Sequence, residues 1–157
     1  MMNEYPSGIY LAKVSEINSI YAIEKKCFPS RVAYSKSQLK RLILDNNSIC
    51  LVEKNDEIIR AFIIIAYDFD SLIGHIETID VDPDYQKQGI GLKLLKSAEI
   101  DMKLKGVGWS QLEVSEGNSS AIELYRKSGY KVKERIAYYY IFNHYNTRAA
   151  LRMIKTL

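Results

Sequence analysis

The chain has 157 residues, 47% of them hydrophobic and 26% charged, with 22 basic and 19 acidic side chains and a net charge of +3. That balance suits one globular domain with its own core and excludes disordered and collagen-like chains. No apolar run approaches the roughly 20 residues of a membrane-spanning helix, and Met1 to Tyr10 lacks the charged-then-apolar layout of a secretory signal, so a cytoplasmic protein without a membrane partner is expected.

In chain order, Ile9 to Val14 reads as a first strand. Ser15 and Asn18 open a helix carrying Ile17, Ile20, Tyr21 and Ile23 at helical spacing, which Cys27-Phe28-Pro29 ends. A loop, Ser30 to Tyr34, leads to Ser35 and Gln38, a capping-box pattern for a second helix with Leu39, Leu42 and Ile43. Three strands follow, Ser48 to Glu53, Ile58 to Tyr67 and Ile73 to Val81. Gly89 to Lys105 is a helix with Leu94, Leu95, Ala98 and Met102 on one stripe. Trp109 to Ser115 alternates as a strand, Asn118 to Ser128 is a short helix capped by Gly129, and Tyr130 to Phe142 and Arg148 to Leu157 form a terminal hairpin. The order β α α β β β α β α β β describes a mixed α/β domain around one sheet, with no second domain, repeat or linker.

Charge is unevenly spread. Ten of the acidic residues fall between 45 and 84, and thirteen of the basic ones beyond 84. A basic C-terminal half suits an anionic cofactor, and an acidic middle suits a cationic substrate. No basic run is longer than a pair such as Lys25-Lys26, so no nucleic-acid partner is expected. Cys27 and Cys50 have no paired spacing, which argues against a disulfide or a metal site.

The segment Val81-Asp-Pro-Asp-Tyr-Gln86-Lys87-Gln88-Gly89-Ile90-Gly91-Leu92 joins a strand to a helix through a glycine-bearing loop. Such a helix N-terminus offers unpaired N–H groups and a favourable dipole to a phosphate. It lacks the Gly-Lys-Ser/Thr of a Walker A loop and the third glycine of a dinucleotide fingerprint. Gln-x-x-Gly-x-Gly here resembles the coenzyme A pyrophosphate loop of the GNAT superfamily of N-acetyltransferases. Downstream, Leu112-Glu-Val-Ser-Glu-Gly-Asn118-Ser-Ser-Ala-Ile-Glu-Leu-Tyr125-Arg-Lys-Ser-Gly129-Tyr130 resembles the corresponding segment of RimI-type enzymes, which acetylate protein α-amino groups. Cys27-Phe28-Pro29 with Ser35 resembles the RimI-type loop between the first two helices, and Gly74-His75-Ile76 and Ala150 to Leu157 resemble strands of archaeal and eukaryotic N-terminal acetyltransferases.

The resemblance implies a central, mostly antiparallel sheet of about seven strands flanked by four helices, with acetyl-CoA as the donor. Its pantetheine would pair with the Ile79-Asp80-Val81 edge, its pyrophosphate would sit on Gln86 to Leu92, and Asn118 would touch the pantetheine or cap the next helix. Tyr125 matches the acid that protonates the leaving thiolate. Glu113 ranks first as base, followed by Glu77 and His75. The acceptor, a protein N-terminus, would lie between Phe28, Pro29 and Tyr34 on one side and Tyr138 or Tyr139 on the hairpin. The segment Ile141 to Arg148 departs from the usual Gly/Asp-rich turn, which keeps a small-molecule amine acetyltransferase open as a rival. A non-catalytic coenzyme A-binding domain is the rival of another class. A monomer or homodimer is expected.

Overall fold

The computed structural model describes residues 4–157; residues 1–3, part of the segment read for a signal layout, lie outside the described residues. The strands are β1 (Ile9–Leu11), β2 (Ser48–Asn55), β3 (Ile58–Asp68), β4 (Ile73–Val81), β5 (Trp109–Ser115), β6 (Lys131–Ile136) and β7 (Ala150–Thr156). The helices are α1 (Ile17–Cys27), α2 (Lys36–Leu44), α3 (Ile90–Leu104) and α4 (Ser119–Lys127). One seven-stranded sheet runs β1-β2-β3-β4-β5-β7-β6. Every neighbouring pair is antiparallel except β4–β5. The expected element order and sheet are those observed.

Both faces of the sheet are covered, which explains why β3 carries the unbroken apolar run Phe62-Ile63-Ile64-Ile65. Ile63 and Ile65 pack with Leu94, Leu95 and Ala98 of α3. Phe62 and Ile64 alternate to the other face and meet Ile20 and Ile23 of α1 and Leu39 of α2. Ser35 caps α2 as its spacing predicts, accepting from the Gln38 N–H while the Gln38 side chain accepts from the Ser35 N–H.

Two features of β4 place the functional residues. The first is a bulge. Ile65 pairs with Ile76 and Ile64 with Thr78, so Glu77 has no partner on β3. An extra residue on one strand shifts the alternation that follows it. Before the bulge Gly74 and Ile76 face α3, where a side chain on Gly74 would run into Met102. After it Ile79 and Val81 pack on that side, while Asp80 turns toward Glu24 of α1. The second feature is a fork. β4 and β5 pair only from Ile73–Trp109 to Ile76–Leu112. Beyond that point β4 pairs with β3 alone and Glu113 to Ser115 with β7 alone.

The structure corrects two boundaries. The first strand ends at Leu11, and Val14–Glu16 is a 3₁₀ turn leading into α1. The terminal hairpin is much shorter than Tyr130 to Phe142 and Arg148 to Leu157. Its ladder stops at Ile136–Ala150. The chain then leaves the sheet as a loop closed by bonds between Tyr140 and Arg148 and between His144 and Thr147.

Candidate active site

The α3 N-terminus is built to meet an anion. Gly89 is its N-cap, with φ of 79° in the left-handed region and open space where a Cβ would stand. No side chain caps the first turn, so its N–H groups point outward unclaimed. The loop is tied to the strand end by Gln86, whose Nε2 donates to the Val81 carbonyl at 3.1 Å. This N-terminus therefore offers donors, a dipole and unobstructed backbone, which is what a pyrophosphate requires.

A cavity of about 410 Å³ lies in the fork. Ile76 to Ile79 form one wall, Leu112 to Ser115 the other, and Asn118, Ala121 and Tyr125 close the end from α4. Asn118 caps α4 by accepting from the Ala121 N–H at 3.3 Å, so the capping role is observed. Tyr125 is buried, packed edge-on to Tyr130 with ring centroids 5.9 Å apart. Burial, the charge of Asp80 and neighbouring Tyr140 hold its phenol neutral well above the ordinary tyrosine range.

Across the cavity a line of charged groups runs along β4, β5 and β7. His75 Nδ1 meets Glu77 Oε1 at 3.0 Å, and His75 Nε2 meets Glu113 Oε2 at 2.5 Å. The Arg152 guanidinium donates to Glu113 Oε1 at 3.0 Å and also to Glu134. The Tyr34 hydroxyl donates to Glu77 Oε2 at 3.1 Å. Burial alone would lower the His75 pKa. Its bonds to Glu113 and Glu77 and their charges outweigh that and raise it to about 9. Glu77 is held below the carboxylate range by its bond to His75, against its own burial. Burial would raise Glu113, but His75 and Arg152 bring it below the usual range. At neutral pH His75 is therefore an imidazolium donating to two carboxylates, and it has no lone pair with which to take a proton.

Two loops roof the cavity. Phe28, Arg31, Val32 and Tyr34 come from the α1–α2 connection, and Tyr139 to Phe142 with His144 from the β6–β7 loop. They touch each other: Phe28 and His144 rings lie 5.5 Å apart, and the Arg31 guanidinium sits 4.8 Å from the Phe142 ring centre. The Ser115 hydroxyl donates to the His144 carbonyl at 2.7 Å. Gly117 permits this docking, because a Cβ there would lie 2.2 Å from the Tyr145 carbonyl oxygen.

Of the residues singled out from sequence, Glu77, Ile79, Glu113, Asn118, Tyr125, Phe28, Tyr34 and Tyr139 meet at this cavity. Pro29 and Tyr138 are not in its walls; Tyr138 is 77% exposed, beneath Arg148. Tyr139 and Tyr140 both line it, which regular strand alternation would forbid. His75 stands behind the wall, bridging two residues of it. The Asp80 side chain faces the interior, leaving only its backbone at the sheet edge. Sequence reasoning passed over Arg152, Phe142, His144 and Glu24. Glu24 did leave a signal: it falls on the apolar stripe of α1, four residues after Ile20 and three before Cys27.

Comparison with known proteins matches residues 17–130 to the acetyltransferase (GNAT) family. The chain belongs to the GNAT family. Among curated relatives, the [ribosomal protein bS18]-alanine N-acetyltransferase of Escherichia coli K12 is 44% identical over 52 residues, 33% of this chain and 35% of that protein. The N-terminal acetyltransferase B complex catalytic subunit NAA20 of Arabidopsis thaliana is 33% identical over 72 residues, 45% of this chain and 41% of that protein. The match thus spans about a third of the first of these relatives and two-fifths of the other. The crystal structure of the ribosomal-protein-S18-alanine N-acetyltransferase from Escherichia coli superposes with a TM-score of 0.84 at 24% identity, covering 94% of this chain and 92% of that one. That likeness is one of fold. The GNAT family uses acetyl-CoA, and solved neighbours include complexes with coenzyme A and an acyl-CoA.

Two outcomes follow for this GNAT domain. His75 has a raised pKa when folded, so its stabilisation is complete below its ordinary value near 6.5 and is lost as pH rises through about 9. Urea unfolding across that window should show wild-type stability falling by up to about 3 kcal/mol, with His75→Gln lacking that fall. Gly117→Ala should displace the β6–β7 loop, quenching the contact between Phe28 and His144. Ring NMR signals of His144 would register the change while α3 signals stay in place.

Proposed function

We propose that this GNAT domain is an acetyl-CoA-dependent N-acetyltransferase whose acceptor is the α-amino group of a protein N-terminus. The observation that carries the reading is the fork itself. It opens onto a cavity lined by a neutral phenol, Tyr125, and the ionised carboxylates Glu77 and Glu113, in a domain whose α3 N-terminus is uncapped by any side chain. When bound, acetyl-CoA would supply an activated acetyl thioester. Gln86, Lys87, Gln88, Gly89, Ile90, Gly91 and Leu92 would hold its pyrophosphate through backbone N–H groups. The backbone of Ile79, Asp80 and Val81 would pair with the pantetheine where β5 has left β4, with Asn118 alongside.

The acceptor enters beneath the two loops. Its α-amino group, a share of which is unprotonated near neutral pH because its ordinary pKa is about 8, meets Glu77 and Glu113, and its first side chain packs among Phe28, Val32 and Phe142. Glu77 rather than Glu113 is the group that receives the proton. Both oxygens of Glu113 are taken by cations, His75 and Arg152. The second oxygen of Glu77 is taken only by the neutral Tyr34 hydroxyl, and its side chain is 24% exposed against 6% for Glu113. A carboxylate is base enough, directly or through a water, because a nitrogen already bonding to carbonyl carbon is far more acidic than a free ammonium. Tyr125 donates its proton to the departing thiolate. His75 keeps both carboxylates ionised and in place.

The names of the relatives support a protein N-terminus as acceptor: one acts on the alanine of ribosomal protein bS18, and the other is the catalytic subunit of an N-terminal acetyltransferase complex. The test is mass spectrometry of proteins and peptides incubated with this chain and acetyl-CoA, set beside polyamines and amino acids. Acetyl on α-nitrogens supports the reading; transfer to polyamines or lysine ε-nitrogens alone overturns it. Tyr125→Phe should lower kcat by roughly 10²–10⁴ with little change in acetyl-CoA affinity, measured by steady-state kinetics and titration calorimetry. Unchanged turnover removes Tyr125 as the acid.

A further inference from the structure

Behind the cavity wall two acidic side chains face each other in the interior. Glu24 comes from α1 and Asp80 from β4, and each is only 1% exposed. They stand close enough for the Glu24 carboxyl to act on the ionisation of Asp80. Glu24 Oε2 accepts the Tyr34 N–H at 2.9 Å, and Asp80 Oδ1 accepts the Thr78 hydroxyl at 2.5 Å. The remaining oxygens, Glu24 Oε1 and Asp80 Oδ2, receive no donor from any described residue. Among the described residues no cation is paired with either carboxyl. Lys26, on the same helix, is taken by Asp82 and Asp84. Lys54 is taken by Glu16.

We propose that Glu24 and Asp80 share one proton, and that this proton holds Tyr34 in place against Glu77, making the pair a positioning element for the acceptor-side base. Two neighbouring carboxylates in a dry interior cannot readily both be ionised without a counter-cation. One proton between them satisfies both orphaned oxygens at once. It also closes a continuous line: Asp80 to Glu24, Glu24 to the Tyr34 backbone, and the Tyr34 hydroxyl to Glu77. Without the proton, two like charges push α1 and the start of the α1–α2 loop away from β4, and Tyr34 is carried on that loop.

The other groups facing the pair do not supply the proton's place. From α1 Cys27 lies near Asp80, and from β2 Cys50 does; burial keeps both thiols neutral. From α4 Tyr125 faces Asp80 as a neutral phenol. From the strand end Asp82 is ionised and paired with Lys26, and from the loop Tyr34 is neutral. Burial and the charge of Glu24 together hold Asp80 well above the ordinary carboxylate range, in keeping with the geometry.

The proton itself can be tested without substrate; only its functional meaning rests on Glu77 receiving the amine's proton. Urea unfolding of wild type, Asp80→Asn and Glu24→Gln is compared between about pH 4.5 and 6.5, below the window in which His75 titrates. A native state that keeps one proton the unfolded chain has lost should weaken the wild-type folding constant about tenfold per pH unit relative to Asp80→Asn. That variant's amide donates to Glu24 with no proton needed. Parallel pH dependences overturn the proposal. Should Asp80→Asn fail to fold, carbon-13 carboxyl signals of the wild type decide: one Asp or Glu carboxyl still neutral at pH 7 upholds the shared proton, and complete ionisation by pH 6 overturns it. Positioning is read on Tyr34 by labelled-tyrosine NMR. Its signal should move with the pair's midpoint in wild type, and a signal indifferent to that midpoint overturns the positioning role. With a working acceptor, kcat/KM for that acceptor should fall about tenfold per pH unit above the midpoint. A failure to find any acceptor touches the proposed function and leaves the unfolding and NMR results to stand.

Discussion

The unpaired residue at Glu77 is the constraint on which the site depends. A β-strand has a side-chain period of two, so a single extra residue shifts the alternation after it. Up to Ile76, β4 is an ordinary central strand, bonded to β3 and β5 and packed on α3. From Glu77 onward it bonds only to β3, and its edge toward β5 is free. The same residue thus opens the fork, places a carboxylate in the cavity wall and turns Asp80 toward α1. The fork in turn gives α4 and the two roof loops a place to converge, because β5 continues on β7 while β4 bends away.

Alternation of charge then holds the polar wall together. Glu77, His75, Glu113, Arg152 and Glu134 stand in a row in which every negative group touches a positive one. Partly buried ions are tolerable only when paired and hydrogen-bonded on their remaining sites, and here each oxygen of Glu77 and Glu113 has a donor. The row also sorts the roles of its members. Flanked by two carboxylates, His75 stays protonated and serves as a bridge. Gripped by two cations, Glu113 is fixed in place. Glu77 is left as the member with one neutral partner and the larger exposure. Glu24 and Asp80 lie outside this row and pair with no cation among the described residues, which is the ground for the shared proton proposed above.

Much of this organisation could be read from the chain. The helices announce themselves by apolar spacing and caps, and β5 and β4 by their length and bounding turns. The glycine loop and the Leu112 to Tyr130 segment mark the α3 N-terminus and Tyr125 as candidates because these are local: a loop and the first turn of a helix need only their own residues to form. Glu77, Glu113 and His75 are named as rivals for one role, with Glu113 placed first by resemblance, but what touches each oxygen is not legible in the chain. The high β-propensity of Tyr138 to Phe142 predicts a longer hairpin than the one formed. Its ladder nevertheless stops at Ile136, and the segment is held by Gly117, Ser115 and Phe28, residues distant in sequence.

By itself, the sequence determined the number and order of elements, the family and the position of the glycine-bearing turn before α3, because these follow from periodicity, capping and contiguous motifs. Only the tertiary structure decided that β4 bulges at Glu77, that His75 is a charged bridge, that Tyr139 and Tyr140 both face the cavity, and that two carboxyls meet in the interior. The physical reason is the same in each case. A strand's register, an acid's protonation state and a loop's resting place are set by partners from other elements, and those partners are assembled only when the sheet, its fork and its covering helices come together.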